Sequence, residues 1–348
     1  MKGNNCKAII KNLIWTAVSA ALAVLTVKMV LKQSEDLSVS ELIAMINSSD
    51  KFFFILGAAA AVMYIWLESV AVRSILKNIG YKQSPLRGLL YSTSDVYFSA
   101  VTPSATGGQP ASAFFMIRDG IPAETAAAVL VLNLMMYTVS IVVLGVIAVI
   151  IKPDAFAAFN TFSRALINIG FLVLTVLSAL FFLLLKKGEA MTEPASKFIT
   201  FLYNKKIIRE KDRKLARLEK AGKNYKKCSD MISHRKRILL NSFIWNFLQR
   251  ASQISVPMLI YRSLGGKTAK MAAVFSKQCL VTIGYNFVPI PGGIGISDYL
   301  MLDAFGGMMG ANMSSSVELI SRSITFYLCV LVCGFITLLG YFLGRNKK

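Results

Sequence analysis

Charge is scarce in this chain of 348 residues: Asp, Glu, Lys and Arg make up 16%, against about 25% in an ordinary soluble domain. Mean hydropathy is +0.57, which excludes a soluble globular fold. There is one histidine, His234, so a histidine-rich metal centre is excluded. The five cysteines (Cys6, Cys228, Cys279, Cys329, Cys333) form no Cys-x-x-Cys pair. That spacing speaks for small packing residues rather than a redox or zinc site. Acidic side chains are few as well, 18 against 39 basic ones. There is no Walker-type loop, dinucleotide fingerprint, nucleophile–base constellation or aspartate-rich sugar-nucleotide motif. Neither a cofactor nor a metal is expected.

What the chain does have is apolar runs of the length that crosses about 30 Å of hydrocarbon. Full spans are expected near 8–31, 52–72, 123–151, 163–185, 238–261 and 318–343. The first, preceded by Lys2, Lys7 and Lys11, has a cleavage-like Ala21-Leu22-Ala23. Its apolar run continues to Leu31, which suits an uncleaved span better than a signal peptide.

Two further segments, 89–118 and 271–309, are apolar but broken. The first break is Thr102-Pro103-Ser104-Ala105-Thr106-Gly107-Gly108-Gln109-Pro110, and the second is Pro289-Ile290-Pro291-Gly292-Gly293-Ile294-Gly295. Proline and glycine there interrupt the helical ladder. Backbone freed inside a membrane survives only where it is buried in protein or lines a cavity. The arms of the first segment are too short to span, so both segments are read as re-entrant hairpins.

Charge bias orients these elements. The N-terminus is inside; Glu35, Asp36, Glu41 and Asp50 place the next loop outside; Arg73, Lys77, Lys82 and Arg87 return the chain inside. Lys186 to Arg237 holds 17 Lys/Arg against 6 Asp/Glu, much of the net charge of +21. A nucleic-acid ligand is the soluble-protein reading of such a surplus, but the positive-inside rule accounts for it without one. Arg345, Lys347 and Lys348 end the chain inside. Against this runs the short loop with Arg262, Lys267 and Lys270, which would sit outside.

The expected architecture is therefore an all-α polytopic membrane protein, one transmembrane domain over 1–348 with about eight hydrophobic segments. Six full spans and two re-entrant hairpins form an inverted-topology repeat with both termini inside. The first half-repeat covers 1–152 and the second 163–348, with the basic loop at 186–237. Paired breaks in two inverted halves point to a transport site. In the loop, Phe198, Ile199, Phe201 and Leu202, then Leu215 and Leu218, are expected to form amphipathic helices on anionic inner-leaflet lipid.

Charges at membrane depth are rare and usually functional. The candidates are Glu68, Asp95, Glu124, Lys277, Asp298, Glu318 and Arg322. Glu318 and Arg322 are four apart and share a helix face. Glu124 at the start of its span suits the positive end of the helix dipole. Arg73 and Arg118 sit at inner ends and are read as snorkelling. At both breaks a new helix begins, and helix N-termini favour anions, phosphate above all. Thr102, Ser104 and Thr106 add hydroxyls at the first tip. The substrate-binding set therefore comprises the residues of both tips (Thr102, Pro103, Ser104, Thr106, Gly107, Gly108; Pro291, Gly292, Gly293, Gly295). To these are added the charged Asp95, Arg118, Lys277, Asp298, Glu318 and Arg322. No catalytic residue is assigned. Gly306-Gly307-x-x-Gly310 and Gly340-x-x-x-Gly344 are read as close-packing features.

Thr102-Pro103-x-x-x-Gly107-Gly108-x-Pro110 with Phe114-Phe115 and Arg118-x-Gly120, and Pro289-x-Pro291-Gly292-Gly293-x-Gly295 with Asp298, resemble the two signatures of a known family. It is the lysylphosphatidylglycerol synthase transmembrane region, the flippase-like domain of MprF-type proteins. The family often has Glu where Asp298 stands. The resemblance implies a bacterial-type multi-pass protein of the plasma membrane that moves aminoacylated phosphatidylglycerol outward, which gives resistance to cationic antimicrobial peptides. It also implies a stand-alone member, because the chain ends at Lys348 without the soluble synthase domain. Three functions are open: a flippase for a phosphate-headed lipid, a membrane enzyme of headgroup aminoacylation (phosphatidylglycerol lysyltransferase by family name) or glycosylation, and a non-transporting partner of a separate synthase. An oligomer is compatible with all three.

Overall fold

The computed structural model describes residues 44, 46–102, 106–187, 192–204, 211–233 and 235–343. The expected first span at 8–31 lies outside the described residues, as do Pro103 and Ser104 of the first break.

Among the described residues every regular element is helical. In chain order they are α1 (Lys51–Asn78), α2 (Pro85–Val101), α3 (Gly108–Arg118), α4 (Ala123–Ile151), the single turn α5 (Asp154–Ala157), α6 (Thr161–Lys186), α7 (Thr192–Asn204) and α8 (Lys211–Ser233). Then follow α9 (Lys236–Ser263), α10 (Met271–Asn286), α11 (Ile296–Met309), α12 (Ala311–Arg322) and α13 (Cys329–Leu343). Local chemistry sets several starts. Asp50 caps α1 by accepting from the Phe52 N–H at 2.9 Å, Asn160 caps α6 by accepting from the Ser163 N–H at 2.8 Å, and Ser84 with Pro85 opens α2.

Among the described residues four helices are long and apolar enough to cross a membrane: Lys51–Asn78, Ala123–Ile151, Thr161–Lys186 and the continuous run Ala311–Leu343. α4 has the bounds read from the sequence, 123–151. The last span differs: it begins at Ala311, and a π-helical stretch over Ser323–Leu328 joins α12 to α13. A single helix, α9, covers the expected 238–261 segment with 28 residues, about 42 Å at 1.5 Å per residue. It is not among the four apolar helices, because its interior carries Asn246, Gln249, Arg250 and Gln253.

Those polar residues turn inward. Asn246, Gln249 and Arg250 are 0%, 1% and 3% exposed, while Leu240, Ile244 and Leu248 on the same helix are outward. α9 packs along α1 and also against α4, α10 and α12, which makes it the central post. Apolar side chains cover the outside of the other long helices, with Phe52, Leu172, Val176 and Phe335 all exposed. A surface this apolar over helices this long is that of a membrane protein.

Both broken segments are helix pairs folded back on themselves, α2 on α3 and α10 on α11. In the basic loop both expected amphipathic helices are present as α7 and α8. α8 does more than lie beside the bundle: Cys228 and Ile232 are buried in the same core cluster as Leu132 of α4. The Asn224 amide donates to the Glu124 carboxylate at 2.7 Å, so the start of α4 is tied to α8. The expected glycine packing divides. Gly340 abuts Leu90, where an added Cβ would come within 2.4 Å, whereas Gly306 and Gly307 have open space beside them and Gly310 has φ +82. Gly310 ends α11 and begins α12, so this run makes a corner rather than a packing face. Gly344 lies outside the described residues.

Candidate functional site

The bundle holds a partly open cavity of about 580 Å³, within the range of small-ligand sites. Both breaks reach it: Thr106 and Gln109 at the first, Gly292, Gly293 and Ser297 at the second. Glu68, Asp95, Arg250 and Arg322 bring charge to its wall.

The first cluster joins α1, α2, α3 and α9. Asp95 accepts from the Ser99 hydroxyl at 3.1 Å and from the Gln109 amide at 2.7 Å. The Glu68 carboxyl meets that of Asp95, with the Arg250 guanidinium close to both. Glu68 also accepts from the Gln249 amide at 3.2 Å. Arg250 is held between two tyrosine rings, 4.7 Å from the centroid of Tyr64 and 4.1 Å from that of Tyr137. Its Nη1 donates to Gln253 at 2.7 Å and to the Tyr137 hydroxyl at 3.3 Å. The Tyr137 hydroxyl in turn donates to Asn286 of α10 at 3.0 Å. A guanidinium stacked between aromatic faces is fixed in direction as well as position.

The second cluster joins the second break to the last long helix. Arg322 shares a helix face with Glu318 one turn back. Its Nε faces Asp298 of the second break at 2.8 Å. That contact is an ion pair without hydrogen-bond alignment. Its Nη1 donates to the Gly292 carbonyl at 3.2 Å. Glu318 meets the Asp298 carboxyl. The reason is reach: the break delivers a free carbonyl and a carboxylate to Arg322, and the freed carbonyl needs a donor where water is scarce. Arg322 also lies 5.0 Å from the Phe326 ring in the π-helical stretch. Such stretches recur at functional sites.

At the first tip the Thr102 hydroxyl is engaged locally. It donates to the Phe98 carbonyl at 2.5 Å and accepts from the Gly107 N–H at 2.9 Å, so it braces the break. Gly108 sits against Asp95, and a Cβ there would fall 2.0 Å from Oδ1. At the second tip Asp298 bends back to accept from the Gly295 N–H at 2.8 Å. This helix N-terminus is thus already met by a carboxylate of its own chain.

Of the expected set, Asp95, Thr106, Gly292, Gly293 and Arg322 line the cavity, while Thr102, Gly107, Gly108, Gly295, Asp298 and Glu318 stand behind the lining; Arg118 and Lys277 are engaged elsewhere. Arg118 donates to the Tyr341 carbonyl at 3.1 Å and stacks over that ring at 5.5 Å. Lys277 donates to the Ala304 carbonyl, joining the two arms of the second pair. Neither lines the cavity. Conversely, Arg250, Gln278 and Tyr137 line it without having been singled out from the sequence. The signal was present in α9: Ser242, Asn246, Gln249, Arg250 and Gln253 recur at helical spacing and form a polar stripe in an otherwise apolar helix. No group of three or more metal-binding side chains gathers among the described residues.

An apolar exterior around a cavity whose wall carries charged side chains defines the class: a helical membrane protein with an internal cavity. Within that class, the chain belongs to the family described as the lysylphosphatidylglycerol synthase TM region, which matches residues 12–333. That membership carries a membrane-lipid-related role. No curated protein matches the chain.

Proposed function

We propose that this protein moves a phosphate-headed lipid between leaflets of the cell membrane, with lysyl-phosphatidylglycerol a candidate cargo, by alternating access around the two breaks. The observation that carries this reading is the cavity. Its wall holds buried arginines inside a bundle with an apolar exterior, so a headgroup has a polar path while acyl chains stay in lipid. The lipid would be recognised by Arg250 and Arg322 and by the first tip. In this reading six spans and two re-entrant hairpins form an inverted repeat with both termini inside. Residues 1–152 and 163–348 are the moving halves, and the basic loop rests on anionic inner-leaflet lipid, where a separate synthase could dock. Transport is favoured over headgroup chemistry because Asp95 and Asp298, the bases an enzyme would use, are both engaged by protein groups. In a bacterial cell, outward transport of a cationic lipid would reduce binding of cationic peptides.

The test is leaflet exchange of fluorescent phosphatidylglycerol in proteoliposomes, read by quenching from outside. Gly108→Leu, which drives a side chain into Asp95, and Gly293→Leu, at φ +64 against the Tyr285 ring, should each reduce exchange to the rate of protein-free vesicles. Exchange at the unsubstituted rate by both folded variants would refute the proposal.

A further inference from the structure

Behind the first break two carboxyl groups touch. Glu68 of α1 and Asp95 of α2 are in side-chain hydrogen-bond contact, and the residues are 7% and 8% exposed. A hydrogen bond between two carboxyl groups requires a hydrogen on one of them. The donors that reach the pair from elsewhere are neutral. They are the Ser99 hydroxyl and the Gln109 amide on Asp95, at 3.1 and 2.7 Å, and the Gln249 amide on Glu68, at 3.2 Å. Arg250 of α9 is the nearby cation, but its Nη1 is directed at Gln253 and the Tyr137 hydroxyl. Among the described residues no ion pair joins it to either carboxyl. Tyr64 of α1 and Cys333 of α13 also face Glu68; a phenol and a thiol add no charge near neutral pH. One arginine balances one carboxylate, and a second negative charge buried there would be uncompensated. The second break differs, because Arg322 contacts Asp298 directly at 2.8 Å.

We propose that Glu68 and Asp95 hold one proton between them, and that its release and return move the first hairpin against α1. Position makes the pair a lever. Asp95 lies on α2, accepts from Gln109 on α3, and stands so close to Gly108 that a Cβ there would fall 2.0 Å from it. Both arms of the hairpin therefore follow Asp95, while Glu68 belongs to α1. Both residues line the cavity, so the O–H bond breaks to water there and leaves two carboxylates. Like charges in contact repel, which drives the hairpin from α1; a proton returning from the cavity restores the contact. The proton site stands on the geometry alone. Its use as the driving ion rests on the translocase reading and adds an energy source to it, a proton gradient.

The test has two arms. Infrared difference spectroscopy of the purified full-length protein, acid against alkaline, reads protonated carboxyl groups directly. Glu68→Gln and Asp95→Asn, each close in shape to the original, should each remove one protonated-carboxyl signal that the unsubstituted protein shows at neutral pH. The carboxyl that remains then becomes the charge partner of Arg250. The two changes lie on different helices, so if one variant fails to fold the other decides. A variant spectrum that matches the unsubstituted one would overturn the proton site. In the second arm, phosphatidylcholine proteoliposomes carry a trace of fluorescent phosphatidylglycerol and, with the membrane potential clamped, are given a pH difference. The probe should accumulate in one leaflet, by up to about tenfold per unit of pH difference for one proton per lipid. It should change leaflet when the difference is reversed, and lose its bias in Glu68→Gln. An even distribution under the pH difference, or a bias driven by a sodium gradient at equal pH, would overturn the coupling. Absence of any exchange would end the translocase reading and the coupling with it, while the infrared signal would keep the proton site.

Discussion

The two breaks look alike as sequence and are built on different physics. At the second, Gly292, Gly293 and Gly295 all have positive φ, +62, +64 and +83, a backbone that other residues adopt only at a cost. At the first, Gly107 has φ −80, open to any residue, and Gly108 is not in the left-handed region either. Glycine is needed there for space: a Cβ on Gly107 would lie 2.6 Å from Thr102 and one on Gly108 2.0 Å from Asp95. One turn is therefore conformational and the other is a close approach. Their stabilisers differ accordingly, a threonine hydroxyl within the loop at the first, and at the second an arginine reaching from a distant helix.

That contrast can be broken most strongly at Arg322. Removing it in Arg322→Leu leaves Asp298 and Glu318 facing each other and the Gly292 carbonyl without its donor, and loss of about 3–5 kcal/mol is expected for an uncompensated buried charge. Thermal unfolding in detergent should register it, and adding Asp298→Asn should recover a large part; a double variant no more stable than Arg322→Leu would disprove the pairing. Gly292→Ala should cost nearly as much, since it combines positive φ, about 1–2 kcal/mol, with a Cβ 2.1 Å from the Phe326 ring. Adding Phe326→Ala should relieve the clash and leave the conformational part. Gly107→Ala carries only the steric part, its Cβ meeting Thr102 Cγ2 at 2.6 Å and Oγ1 at 2.8 Å, so with Thr102→Ala, which removes both atoms, the double variant should be little less stable than Thr102→Ala alone. A double variant clearly less stable than Thr102→Ala would mean that the first glycine pair is conformational after all. The smallest effect belongs to Thr102→Val, which deletes one hydroxyl from the loop and should cost about 1 kcal/mol, seen as a modest fall in unfolding temperature.

The clusters behind the breaks make a second comparison. Each has two carboxyl groups and one arginine: Glu68, Asp95 and Arg250 in one, Asp298, Glu318 and Arg322 in the other. In the first, Arg250 is clasped by two tyrosines and hydrogen-bonded to Gln253; in the second, Arg322 holds the backbone of the break. The first arginine is thus fixed by α9 and its neighbours, and the second would follow any movement of the loop it grips.

Much of this was legible in the sequence, for identifiable reasons. The helix at 123–151 could be read to both ends because Pro122 opens it and Pro153 follows it closely, with an apolar run between. The breaks could be located because proline and glycine are local punctuation. Asp95, Asp298, Glu318 and Arg322 stood out because a charge in an apolar run is conspicuous. Arg250 escaped because its helix is polar enough to hide one more polar residue, and a ligand role is a property of the face rather than the residue. Arg118 and Lys277 show the same limit in reverse: each donates to a backbone carbonyl, and helix position does not say whether a side chain meets the cavity or a neighbouring carbonyl.

The amino-acid order by itself determined that this is a helical membrane protein, where its helices run and where two of them are interrupted. These follow from hydropathy, proline and glycine, which act within a few residues. Only the tertiary structure decided that Arg322 meets Asp298 rather than Glu318, that Lys277 joins two hairpin arms, and that a polar stripe on α9 faces the same chamber as both breaks. Those outcomes depend on which distant helix supplies the nearest unsatisfied group, and burial enforces that choice through the cost of leaving such a group alone.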